Sequence, residues 1–187
     1  MPDILVIDNY DSFTHNLVHY LEKLDCNVTI LFNDKISVDL FKFDGIILSP
    51  GPGLPSKAGD LGKVIAKVAG KIPVLGVCLG LQAIGEYLGG KLYNQNEVKH
   101  GVQETIQLFP GVLFESEKRA DVGLYHSWAL DRKGDYRVTA ESDSKVVMAI
   151  ENKEQLLFAV QFHPESIMTT DGLIILENFL KFCTTDK

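Results

Sequence analysis

Three residues carry functional groups suited to covalent chemistry: Cys78, His163 and Glu165. Cys78 stands in Gly76-Val77-Cys78-Leu79-Gly80-Leu81-Gln82, between the apolar run Pro73-Val74-Leu75 and a helical pattern through Ala83, Ile84, Tyr87 and Leu88. A lone thiol is usually inert core, because cysteine is among the most buried residue types. At the head of a helix it is different. The first-turn N–H groups lack partners and carry partial positive charge, which lowers a thiol's pKa and can also hold an oxyanion. Gly76 and Gly80 predict two backbones passing where a side chain would clash, which leaves the sulfur reachable.

His163-Pro164-Glu165 follows the apolar run over 156–162. Residues two apart on an extended backbone point the same way, so the carboxylate can hold one imidazole nitrogen while the other faces a thiol. Thiol, imidazole and carboxylate are then nucleophile, base and orienting acid for acyl transfer. His15 and His19 lie one helical turn apart but have no third ligand nearby, so they read as a solvated face rather than a metal site.

Such groups need a frame that brings distant segments to one edge. Ile4-Leu5-Val6-Ile7, Val28-Thr29-Ile30-Leu31, Ile46-Ile47-Leu48 and the run before Cys78 read as strands, with helical patterns between them. Alternation of this kind over roughly the first 90 residues predicts an α/β fold, an open and mostly parallel sheet with helices on both faces. Ligands gather beyond the carboxyl ends of such strands. Asp8, the rigid loop Ser49-Pro50-Gly51-Pro52-Gly53-Leu54-Pro55 and Cys78 each follow a strand directly, so they should share a rim. Asp11 or Ser12 is the expected N-cap of the first helix. In the second half, Glu104-Thr105-Ile106-Gln107-Leu108, 137–140 and 146–150 predict an added antiparallel ribbon, and 172–182 a closing amphipathic helix.

The 187 residues, 45% of them hydrophobic, are expected to form one domain over 1–187 with a full core. A net charge of -7 disfavours a nucleic-acid backbone or an anionic membrane surface as partner. No run approaches the ~18 apolar residues that would span a bilayer. Cys26, Cys78 and Cys183 are too scattered for a disulfide framework or a zinc site, which points to a reducing cytoplasm. Met1-Pro2-Asp3-Ile4 enters a strand with neither a basic segment nor a cleavage site.

The cysteine motif, Ser49-Pro50-Gly51-Pro52-Gly53 and Gln161-Phe162-His163-Pro164-Glu165 together resemble the class I (triad) glutamine amidotransferase domain, over 4–182. Asp8-Asn9-Tyr10-Asp11-Ser12-Phe13-Thr14 and Tyr125-His126-Ser127 are similar, within that family, to the glutaminase components of anthranilate synthase and aminodeoxychorismate synthase. The resemblance implies that Cys78 attacks the carboxamide of L-glutamine, that His163 takes and returns the proton, and that Glu165 orients the ring. It assigns the oxyanion to backbone N–H groups of Gly53 and Leu79. Glutamine would be held by the backbone of Gly51, Pro52 and Gly53, the amide of Gln82, and main-chain groups of Ser127 and Trp128.

No metal or organic cofactor is implied for this chain. A separate chorismate-binding synthase subunit, itself expected to need Mg2+, would receive the ammonia and make anthranilate for tryptophan, or the aminodeoxychorismate precursor of folate. The 8–14 turn is the expected contact with that subunit. Leu81 and Trp128 depart from the residues usual at these positions, a histidine and a leucine, and Val102-Gln103-Glu104 departs after His100-Gly101. Other readings fit less well. A silent regulatory subunit would not need all three chemical groups. A flavodoxin-like carrier would need a phosphate-cradling loop after the first strand, and a related peptidase would not be expected to combine the Pro-Gly loop with the Tyr-Asp-Ser-Phe turn.

Overall fold

The structure, a computed structural model, describes residues 1–185. In chain order its elements are β1 (Asp3–Asp8), α1 (Thr14–Lys23), β2 (Asn27–Phe32), β3 (Gly45–Leu48), α2 (Leu61–Val68), β4 (Val74–Val77) and α3 (Leu79–Tyr87). They continue with β5 (Leu92–Leu108), β6 (Lys118–Leu130), β7 (Arg137–Glu141), β8 (Val147–Asn152), β9 (Leu157–Val160) and α4 (Gly172–Thr185).

All the strands join one sheet in the order β2-β1-β3-β4-β9-β8-β7-β5-β6. From β2 to β9 the neighbours run parallel, and from β9 onward they pair antiparallel. Apart from the half-exposed edge strand β2, the parallel strands are short apolar runs because both faces are covered. Alternation along β1 shows it: Ile4 and Val6 pack with Leu17 and Leu21 of α1 and Leu176 and Phe179 of α4. Leu5 and Ile7 pack with Leu61 and Ile65 of α2 and Ile84 of α3 on the other face.

Two expectations need correction. Neither Asp11 nor Ser12 caps α1; the cap position is Phe13, with no side-chain bond to the helix. Asp11 instead accepts from the Phe13 N–H at 2.8 Å within a preceding turn, while Asp8 accepts from the Thr14 hydroxyl at 2.9 Å and so ties the helix start to the end of β1. The antiparallel ribbon is also longer than expected. β5 runs 17 residues rather than beginning at Glu104, and it pairs with a β6 of 13 residues that the expected ribbon omitted, although buried Ala120, Val122 and Leu124 alternate there with Arg119, Asp121 and Tyr125. The outer part of β5 is polar and exposed on both sides, so it lacks the period-two pattern. Register shifts between Asn94/Lys99 and His100/Val102 break it further, the second at Gly101 with φ +68.

One pairing positions the site. Val77 of β4 lies beside Val160 of β9, and the Cys78 N–H donates to the Val160 carbonyl at 2.8 Å. Cys78 and Gln161 therefore leave the sheet as neighbours.

Candidate active site

Cys78 ends β4 and begins α3 in a sharp turn with φ 54 and ψ -101, a conformation that a residue with a Cβ rarely adopts. The surrounding backbone holds it there. A Cβ on Gly76 would lie 2.5 Å from the carbonyl carbon and oxygen of Gly80, and one on Gly80 would lie 2.6 Å from the Leu48 carbonyl oxygen. The crossing therefore requires glycine at both positions. The thiol is thus fixed at the amino end of α3, 6% exposed.

His163 and Glu165 meet through a turn, not through strand alternation. β9 stops at Val160, and the Ser166 N–H donates to the His163 carbonyl at 3.2 Å, placing Pro164 and Glu165 at the corner. Nδ1 of His163 lies 2.7 Å from Oε1 of Glu165, and both residues are 2% exposed. The turn is pinned from outside. The His163 N–H donates to the Gly123 carbonyl on β6 at 3.0 Å, and the Thr169 hydroxyl donates to the His163 carbonyl at 2.6 Å.

Burial alone would push the His163 imidazole down. The Cys78 side chain and the Glu165 carboxylate outweigh it and raise the group to about 10. His163 Nε2 nevertheless has no hydrogen-bond partner of ordinary geometry. The thiol and imidazole are apposed rather than bonded, an arrangement that tightens readily once a substrate is in place.

Cys78 and His163 share the wall of a cavity of about 260 Å³ with Asp11, Ser12, Phe13, Pro50, Gly51, Pro52, His100 and Tyr125. Phe13 and Tyr125 present their rings edge-to-face to His163, with centroids 5.3 and 4.9 Å away, and His100 abuts Tyr125 at 5.4 Å. These aromatic neighbours had stood in the sequence only as members of longer motifs. Their apposition depends on β6 crossing beside the 163–166 turn, which no local pattern encodes.

The other residues expected at the site are placed less uniformly. Gly51 and Pro52 line the cavity, and a Cβ on Gly51 would lie 2.5 Å from the Asn9 Cβ, so this loop sits against the end of β1. Gly53, exposed with φ +78, lies just outside those walls. Leu79 opens α3 directly after the thiol. Gln82 is buried one turn further on, with its Nε2 3.3 Å from the Trp128 carbonyl and 3.4 Å from Gln161 Oε1. Ser127 and Trp128 are half-buried on β6 and outside the same walls. Next to them His126 is buried, with Nδ1 2.9 Å from the Trp128 carbonyl and Nε2 without a partner. Burial, aided by His163 and Lys99, holds His126 below the ordinary imidazole range against the pull of that carbonyl.

A thiol at a strained strand-to-helix turn, beside an imidazole held by a carboxylate at the carboxyl edge of a parallel sheet, defines a class of α/β protein equipped for thiol-based acyl transfer. The comparisons make the assignment specific. The chain belongs to the glutamine amidotransferase class-I family, whose pattern it matches over residues 5–182. It is 42% identical to anthranilate synthase component 2 of Lactococcus lactis subsp. lactis, over 98% of this chain and 96% of that one. It is 40% identical to aminodeoxychorismate/anthranilate synthase component 2 of Bacillus subtilis, over 95% of each chain. A crystal structure of a glutamine amidotransferase from Thermotoga maritima shares the fold with a TM-score of 0.79 over 97% of both chains, at 15% identity.

Proposed function

We propose that this chain is the glutaminase subunit of a chorismate-using synthase, releasing ammonia from L-glutamine for a separate subunit that makes anthranilate. The observation that carries the chemistry is the His163–Glu165 contact of 2.7 Å, with His163 and Cys78 on the wall of one cavity. The names of the relatives at 42% and 40% identity support the partner and the product.

In this reading His163 takes the thiol proton through Nε2 as the Cys78 sulfur bonds to the carboxamide carbon of glutamine. The resulting oxyanion falls to backbone N–H groups, assigned to Leu79 at the start of α3 and to Gly53 in the Pro-Gly loop; such donors are typically worth about 3 kcal/mol each. Collapse breaks the C–N bond, and the imidazolium returns its proton to the departing ammonia. Water then cleaves the glutamyl thioester, with His163 again the base, giving glutamate and the free thiol. Glu165 holds Nδ1–H throughout, so that Nε2 stays the reacting nitrogen.

Glutamine is assigned to the backbone of Gly51, Pro52 and Gly53, to Gln82, and to main-chain groups of Ser127 and Trp128. The Gln82 amino group is engaged within the protein, which leaves its Oε1 to accept from the substrate ammonium. These steps use no metal or organic cofactor of this chain, and Mg2+ is assigned to the synthase subunit. We read 1–187 as one domain, supported by the continuous sheet from β2 to β6. We place it in the cytoplasm, since cysteines as few and widely spaced as Cys26, Cys78 and Cys183 favour a reducing compartment. The rim formed by the 8–14 turn, with Phe13 in the cavity wall, is the assigned contact for the partner.

The test is reconstitution with each candidate synthase subunit and assay of the product made from chorismate and glutamine. Anthranilate, with glutamate release stimulated by the synthase, is expected. Aminodeoxychorismate as the sole product would assign the chain to the folate branch, as the second relative's dual name allows. Full glutaminase activity of the isolated chain, unchanged by either synthase, would contradict the subunit role.

A further inference from the structure

We infer that Gln161 holds the Cys78 sulfur as a hydrogen-bond donor, and that Gln82 and the Trp128 carbonyl lock its amide in the donating orientation. The inference rests on the reading of Cys78 as nucleophile and adds a residue to it.

The orientation follows from what each group can and cannot do. The Trp128 carbonyl can only accept. Gln82 Nε2 lies 3.3 Å from it and 3.4 Å from Gln161 Oε1, so the Gln82 amino group donates to both. Gln161 Oε1 is thereby the accepting end of its amide. Its Nε2, 3.4 Å from the Cys78 sulfur, has only hydrogens to offer. Flipping either amide would set amino group against amino group or oxygen against oxygen.

The consequence falls on the sulfur, which must accept. Its own hydrogen is directed away from Gln161, and the buried nitrogen in the same cavity that lacks a partner is His163 Nε2. An ionised sulfur accepts more strongly than a neutral one, so the contact favours proton transfer to the imidazole. Gln161 is fully buried and its backbone N–H donates to the Met148 carbonyl at 2.8 Å, so its main chain is pinned, while Gln82 holds the amide itself. The relay ends on β6, where His126 Nδ1 meets the same Trp128 carbonyl at 2.9 Å.

Titratable groups face this sulfur and its base from every neighbouring element. They are His163 and Glu165 in the turn after β9, His100 on β5, Tyr125 and His126 on β6, and Asp11 in the turn after β1, with Lys99 of β5 acting on His126 in turn. All of them stay in place when Gln161 is changed, so a shift in the thiol's titration reports on the amide.

The test is alkylation of Cys78 by iodoacetamide in the full chain, from about pH 5 to about pH 10, read by mass spectrometry of the Cys78 peptide so that Cys26 and Cys183 do not contribute. In Gln161→Met, which keeps the length and loses the donor, the midpoint rises by about one pH unit. In Gln161→Glu, which still accepts from Gln82 but turns an oxygen toward the sulfur, it rises further. Should Gln161→Met fail to fold, Gln161→Glu alone decides. A wild-type midpoint in a folded variant overturns the role of Gln161. Failure of glutamine to protect Cys78 in the wild-type chain would instead remove the nucleophile reading on which the inference stands.

Discussion

His163 and Glu165 are joined at 2.7 Å across the single residue Pro164, at the corner of a turn that β6 and the Thr169 hydroxyl hold from outside. The carboxylate therefore has a fixed aim, and its removal should be felt at the imidazole before anywhere else.

Glu165→Gln keeps the shape and removes the charge. The expected result is a fall in glutaminase kcat of roughly 100-fold or more in the reconstituted complex, since an orienting group sets the tautomer of the base. NMR titration of the His163 ring should show its pKa falling from the raised value of about 10. The same shift carries a stability signature. A raised folded pKa contributes stability that is fully present below the ordinary value of about 6.5 and is lost as pH climbs through the folded value. Denaturant midpoints of the wild-type chain should carry this loss between those limits, and the variant should carry less of it.

His126 should act in the opposite direction. Burial, with His163 and Lys99, depresses its folded pKa, so its contribution is present above the ordinary imidazole value of about 6.5 and is lost as pH falls through the folded value. His126→Gln is expected to flatten the acid side of the stability profile while lowering stability near neutral pH through the lost contact with the Trp128 carbonyl. Urea unfolding across that range measures both effects.

Gly76→Ala places a methyl group 2.5 Å from the backbone of Gly80. The strand-to-helix crossing would have to open, at a cost of about 1–3 kcal/mol or more as for other overpacked sites. Denaturation should show that loss together with near-complete loss of glutaminase activity, because the displaced turn is the one that carries the thiol. Stability and activity close to wild type would mean that the turn tolerates a wider crossing than its geometry implies.

Phe13→Ala removes the ring 5.3 Å from the His163 centroid and 5.0 Å from that of Tyr125. Aromatic pairs of this kind are worth about 0.5–1.5 kcal/mol each. A stability loss of about that size is expected, with a several-fold lower kcat in the complex as water reaches the imidazole. An unchanged kcat would remove Phe13 from the wall of the working site.

The parallel half of the sheet was legible because strands buried on both faces are unbroken apolar runs, such as Ile4-Leu5-Val6-Ile7. The outer part of β5 was not, since exposed polar pairing leaves no period to read. The α1 cap went wrong for a local reason: the Asp11 carboxylate is taken by the Phe13 N–H in the turn before the helix, and Asp8, at the end of β1, does the tying. Cys78 and the His163–Glu165 pair stood out from residue type and local punctuation. The contact of Gln161 with sulfur did not, because it depends on β4 lying next to β9, and on Gln82 reaching across to β6.

Cys78→Ser tests the central claim most directly, with synthesis by the reconstituted complex measured once with glutamine and once with ammonium as nitrogen donor. Glutamine-dependent product should disappear, and ammonia-dependent product should continue at close to the wild-type rate. Survival of the glutamine-dependent reaction, or loss of both, would contradict the assignment of amide cleavage to this thiol and of synthesis to a separate subunit.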